Sequence, residues 1–397
     1  MWNVKSLFKI NEFSIFAISV ALLLVACGGG GTTSSAIPGT LFFAAQSDTT
    51  VGFQLWKTDG TVSGTVAVKT LNPAGGSYPM HFAALNGVTY FNAFDNNTST
   101  PQLWRTDGTA DGTFALTAGS GVNPSGLTAL NGTLYFVGED GSGKRLWKSD
   151  GTASGTVAVT SAPGPNSVEN LIACNGALYF RGFDGSRYQL WRSDGTASGT
   201  AAVTSVTWDL DPINLTAFNG AVYFNGNDGS SYQLWKSDGT ASGTAAVTSI
   251  AGTFDPALIT AINGALYFGA GGAGNWQLWK SDGTASGTVA LTNVAGGVAP
   301  EFMIAFNGAL YFSGHDGSGY QLWKSDGTAS GTAAVTSIAG GLMVNSPRVL
   351  NGALYFSAAD ALHGREMWKS DGTAANTRML VDICSGTCNG MLLLGPL

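Results

Sequence analysis

From about residue 40 onward, short apolar segments alternate with turn signals, and this rhythm predicts β-strands rather than helices. One stretch shows the pattern. Met303 to Phe306 runs into Asn307-Gly308, a dipeptide suited to a type I′ hairpin turn, and Ala309 to Ser313 follows. A second turn, His315-Asp316-Gly317-Ser318-Gly319, leads into Tyr320 to Ser325, and Asp326-Gly327-Thr328 opens a third turn before Thr332 to Ile338. Helix caps and helical periodicity are absent throughout.

This unit recurs along the body of the chain. Leu-Trp or Met-Trp, then a basic residue, Ser or Thr and Asp-Gly-Thr, returns at Trp56, Trp104, Trp147, Trp191, Trp235, Trp279, Trp323 and Trp368. Gln189 to Thr204 and Gln233 to Thr248 differ only by Lys236 in place of Arg192. Four short strands in a repeat of about 40–45 residues mark a β-propeller blade, whereas solenoid repeats are shorter or helical. The ends predict closure. Thr40-Leu41-Phe42-Phe43 matches the second segment of a unit whose first segment is missing, and Met391 to Leu397 falls where that segment belongs. The fold expected is all-β: an eight-bladed β-propeller of four-stranded antiparallel blades, closed by the C-terminal strand. A seven-bladed ring with a stray unit, or an open array, would leave an apolar edge exposed.

Repeats of the form Glu-Leu-Trp-x-x-Asp-Gly-Thr-x-x-Gly-Thr define a family of bacterial exported proteins, which the chain resembles from about Thr40 to its end. The resemblance implies an exported, propeller-like protein and no particular activity. The chain departs from the family at the first motif position. Gln54, Gln102, Gln189, Gln233, Gln277 and Gln321 replace the glutamate, Arg145 replaces it once, and Glu366 keeps it. A role resting on a ring of carboxylates is therefore not expected.

Composition narrows the classes. With 57 glycines, 44% hydrophobic and 11% charged residues among 397, the chain has a large core, many turns and a surface of small polar residues. A net charge of −7 argues against a nucleic-acid partner. Three histidines and four cysteines are too few for multi-haem, zinc-ribbon or disulfide-scaffold proteins, and no cofactor or metal is expected. Lys5 and Lys9 precede an uncharged apolar stretch, Phe13 to Ala26, which reads as a signal peptide too short to span a bilayer. Leu24-Val25-Ala26-Cys27 resembles the bacterial lipobox, which implies lipid attachment at Cys27 and a membrane anchor. Gly28, rather than aspartate, follows the cysteine, and the resemblance then implies the outer membrane of the cell envelope. The expected organisation is a signal peptide over 1–26, lipidated cysteine and tether over 27–37, and a propeller over 38–397, as a monomer. Cys384 and Cys388 sit close enough to bridge a turn near the seam, and Cys174 occupies a position held elsewhere by Leu130, Phe218, Ile262 and Phe306, so it reads as buried and apolar.

The recurring residues read first as structure. One tryptophan per unit suits packing between blades, with the indole N–H on a backbone acceptor. The motif aspartate can accept turn N–H groups, and calcium, which wants six to eight oxygens, is poorly served by one carboxylate per turn. The residue after each tryptophan is always basic and predicts a ring whose heads pair with nearby Asp or form an anion-binding rim. No nucleophile elbow, paired carboxylates or His-Ser pattern stands out, so a non-enzyme is expected. The functional expectation is a non-catalytic interaction scaffold for a protein partner at the outer membrane, the alternative being a module that binds a glycan or another small ligand. Three residues before the motif tryptophan, Tyr188, Tyr232, Trp276 and Tyr320 fall on adjacent units, where other units carry Phe53, Pro101, Lys144 and Arg365. These four aromatics are the candidate ligand site, because tyrosine and tryptophan next to a turn suit stacking on a sugar face.

Overall fold

The computed structural model describes residues 39–394 apart from 48–51, 97–98, 120, 142, 161–164, 166 and 273–274. The signal peptide, Cys27 and the tether lie outside the described residues. Eight four-stranded antiparallel sheets form the blades, numbered here in the order of their motif tryptophans, so that blade 1 holds Trp56 and blade 8 holds Trp368. Blade 1 combines Leu41–Ala45, Gln54–Thr58 and Val66–Lys69 with the chain's last strand, Met391–Leu394, which pairs with Leu41–Ala45. The ring is closed by this strand, as the ends of the sequence predict.

Local chemistry fixes each hairpin. The first two strands of blades 2 to 8 are joined by Asn-Gly with both residues at positive φ, for example Asn219 at 45° and Gly220 at 75°, which is the backbone a type I′ turn requires. In the Asp-Gly-Thr turns the carboxylate Oδ1 accepts the threonine N–H and hydroxyl, at 2.8 and 2.7 Å for Asp238 and Thr240. These bonds hold the exposed aspartates below the usual carboxylate range. The tryptophans lie beside the phenylalanine opposite them, Phe224 and Trp235 being stacked with centroids 6.1 Å apart. Trp235 Nε1 donates to Gly226 O at 2.9 Å, while Trp147 Nε1 and Trp368 Nε1 are buried without a partner.

Blades are joined by a repeated contact. The tyrosine of each Thr-Tyr-Phe, Leu-Tyr-Phe or Val-Tyr-Phe segment abuts the Asp-Gly-Thr glycine of the next blade, from Tyr90 against Gly151 round to Tyr355, whose hydroxyl donates to Gly60 O at 3.3 Å across the seam. The basic residues reinforce these joints. Lys57 Nζ donates to Gly108 O at 2.8 Å and Lys280 Nζ to Gly327 O at 3.2 Å, while Lys236, Lys324 and Lys369 lie over tyrosine rings. Their described partners are thus the next blade's turn carbonyl or a tyrosine face, where the sequence suggested aspartate. Innermost strands touch one another around the axis, and Thr216 Oγ1 on blade 5 donates to Ile259 O on blade 6 at 2.5 Å. Outermost strands run only two to four residues, which keeps each exposed edge short.

Candidate functional site

The strand order sorts the loops onto two faces. Asn-Gly and Asp-Gly-Thr turns share one face; the crossovers between blades and the turns joining second to third strands share the other, called here the crossover face. At the crossover-face end, the innermost strands of blades 2 to 8 carry a bulge with a residue at positive φ. Gly126, Asn170 and Asn214 suit it, but His81, Leu258 and Phe302 at 53°, 57° and 51° do not. Holding such a residue left-handed costs about 1–2 kcal/mol, and strain of this kind gathers where side chains are being presented. Burial pushes the His81 imidazole down to about 4, so it is neutral at pH 7.

The candidate aromatics all stand at this end, at the start of the third strands and half-buried rather than freely displayed. Tyr188 lies under the Arg181 guanidinium, 3.2 Å from ring centroid to Cζ. Tyr232 donates its hydroxyl to Asp211 Oδ2 at 2.8 Å, and burial first, then this bond, pushes its phenol far up. Trp276 packs against Gly269, Tyr320 meets His315 edge-on at 5.4 Å, and burial raises the Tyr320 phenol.

Sequence reasoning missed the polar groups among them. Glu169 receives Lys144 Nζ at 2.9 Å and Arg181 Nη1 at 2.5 Å, and Arg181 Nε reaches Asp211 Oδ1 at 2.6 Å. Asp209 Oδ1 accepts the Tyr188 N–H at 2.8 Å, and Asn225 Nδ2 donates to Asp255 Oδ1 at 2.8 Å. A signal was available in the repeat itself. The position after the Leu-Tyr-Phe segment reads Ala44, Asn92, Val137, Arg181, Asn225, Gly269, Ser313 and Ser357, a scatter of chemistry between strands that barely change. The differences between blades therefore gather at one mouth, charged across blades 3 to 5 and, apart from Asp255 and Glu301, mostly aromatic or apolar across blades 6 and 7.

The other candidates fall elsewhere. Cys384 and Cys388 form a disulfide in the connection leading to the closing strand, with Cα atoms 5.5 Å apart. Cys174 is buried in the cluster between blades 4 and 5. Glu366, the one motif glutamate, shows why six of the other seven positions are glutamine. Gln233 Oε1 accepts the Ile250 N–H while its Nε2 donates to Ile250 O, but Glu366 faces two donors, the N–H groups of Ile383 and Gly390, both at 2.8 Å. Burial pushes its carboxyl up to about 7 against those bonds.

No protein family and no curated protein matches the chain. Its fold is similar to solved structures of peptide-cleaving enzymes. A puromycin hydrolase mutant complexed with PGG is 12% identical with a TM-score of 0.53, covering 84% of this chain and 60% of that one. One of two prolyl endopeptidases analysed together gives 11% and 0.55, covering 83% of this chain and 54% of that one. Oligopeptidase B from Leishmania major gives 11% and 0.55, covering 76% and 48%. The chain thus spans roughly half the length of these proteins, and the likeness is one of fold. It corrects the functional expectation. Propellers of this shape occur within enzymes of peptide cleavage, so the reading as a non-catalytic interaction scaffold does not stand.

Proposed function

We propose that this propeller takes part in peptide hydrolysis by receiving extended polypeptide at the crossover-face mouth of its ring. The observation that carries the proposal is the convergence of blade differences: Arg181, Asp211 and Tyr232 are joined across blades 4 and 5 and Asn225 and Asp255 across blades 5 and 6, with Trp276 at the same end of blade 6, in a protein whose motif strands are otherwise nearly the same. An extended peptide offers such a mouth both backbone polar groups and apolar side chains, and half-buried aromatics bind these at low entropic cost. The fold neighbours support peptide as the class of ligand. The lipobox-like Leu24 to Cys27 supports an anchored protein at the cell envelope, where exported or incoming peptides are met.

Fluorescence anisotropy with a short labelled peptide of proline and apolar residues tests the reading. Binding to the wild type and its loss in Tyr232→Ala with Trp276→Ala, at an unchanged melting temperature, are expected. Tyr232→Phe with Trp276→Phe keeps the rings and controls for folding. Equal binding by wild type and the alanine pair, or no binding of any such peptide, would overturn it.

A further inference from the structure

We propose that the joint between the crossovers entering blades 5 and 6, around Asn225, is a site for a primary ammonium group. The reason is an excess of acceptors. Asn225 is fully buried, and although its Nδ2 is spent on Asp255 Oδ1 at 2.8 Å, its Oδ1 meets no donor. An orphaned buried acceptor costs about 1–3 kcal/mol unless something completes it. Charge points the same way. Asp209, Asp211 and Asp255 all act electrostatically on the Tyr232 hydroxyl, which lies 2.8 Å from Asp211 Oδ2. Against them stands Arg181, whose guanidinium is already divided between Asp211 and Glu169, while Lys144 pairs with Glu169. These six ionised groups leave two more negative charges than positive ones, beside a carbonyl oxygen that wants a donor.

An ammonium has three donors and no acceptor, so it answers both deficits at once. Guanidinium is the poorer fit, because its planar fork favours two oxygens of one carboxylate, and Asp211 and Asp255 each already hold a partner on one or both oxygens. Calcium would need six to eight oxygens. Part of the geometry is a latch between blades, since Asn92 at the equivalent position of blade 2 donates to Pro124 O at 2.7 Å and also keeps a buried, unpaired Oδ1. Blade 2 offers no comparable carboxylates: Asn123 stands where Asp211 and Asp255 stand. Among the described residues, the joint beyond blade 5 is the one that combines such an orphaned asparagine oxygen with neighbouring carboxylates.

The source of the ammonium rests on the peptide reading: the amino terminus of a peptide or a lysine side chain. The site itself is tested without a peptide. Butylamine and butanol are titrated into the whole chain, followed by the NMR signal of the Asn225 side-chain amide. Butylamine should shift that signal and butanol should not, and Asp255→Asn should weaken butylamine by about tenfold, as expected for one lost charge contact. Asn225→Ala, followed by the backbone amide signal of Asp255 because its own side-chain amide is gone, and melting like the wild type, should do the same by removing the acceptor. An unmoved signal, equal shifts with butanol, displacement by calcium at equal concentration, or unchanged affinity in both variants would overturn the site. A peptide arm separates the two proposals. A lysine-free peptide with a free amino terminus identifies the terminus as the source, and its acetylated form with one lysine identifies the side chain. If an acetylated, lysine-free peptide binds as well as either, the peptide reading stands and the ammonium site falls. If butylamine behaves as expected and no peptide binds, the site stands and the peptide reading falls.

Discussion

Replacing Gly151 with alanine measures how closely neighbouring blades are fitted. Gly151 follows the motif aspartate of blade 3 at φ 91°, and a Cβ built there lies 2.6 Å from the Tyr90 hydroxyl of blade 2 but 3.7 Å from Cζ behind it. Two costs follow. The left-handed backbone charges alanine about 1–2 kcal/mol, and forcing a methyl against a buried hydroxyl in a packed joint adds about 1–3 kcal/mol. In a Tyr90→Phe background the oxygen is gone, the nearest remaining ring atom is at ordinary contact distance, and only the backbone cost should survive. Tyr90→Phe alone should lose about 1 kcal/mol or less. Urea unfolding of wild type, both single variants and the double variant, compared at equal m-values, gives the coupling. We expect the double variant to be more stable than additivity allows by about 1–3 kcal/mol. Additivity within about 0.5 kcal/mol would show that the tyrosine does not fill the turn, and the account of blade joints would be wrong.

Three further outcomes are expected. Truncation after Gly390 removes the strand that pairs with Leu41–Ala45, so it should lower the melting temperature or broaden the transition and promote self-association; an unchanged, monomeric transition would refute closure by that strand. Glu366 has its carboxyl raised from 4.5 to about 7, so its contribution to stability is complete below pH 4.5 and is lost as pH rises through 7. Calorimetry across this window should show a fall of about 2 kcal/mol, discounted for solvent screening, that flattens in Glu366→Gln; an identical slope in the variant would assign the effect to other groups. Cys27→Ala should leave an unprocessed or mislocalised precursor, and normal processing with wild-type membrane partitioning would dismiss the lipobox.

Much of the architecture was legible because the repeat states it eight times. Asn-Gly pairs announce hairpins whose backbone glycine and asparagine tolerate best, and the absent first segment before Thr40 announces the strand that closes the ring. What was not legible depends on neighbours across a blade joint. The partner of Lys57 is a backbone carbonyl 51 positions away, and no pattern of side chains reports it. Tyr188 and Tyr232 were visible as aromatics in a column that varies from blade to blade, but Arg181 is the one charge in its column, and Asp211 and Asp255 share theirs with Tyr78, Asn123 and Ala299, so their meeting became apparent only with the strand order.

The most direct test of the functional account is to photo-crosslink a peptide carrying a benzophenone side chain to the full chain and locate the adducts by mass spectrometry. The account predicts adducts on the crossover face of blades 4 to 6, around Tyr188, Tyr232, Asp255 and Trp276, and their loss in competition with unlabelled peptide. Adducts spread evenly over the eight repeats, or gathered on the Asp-Gly-Thr turns of the opposite face, would contradict it.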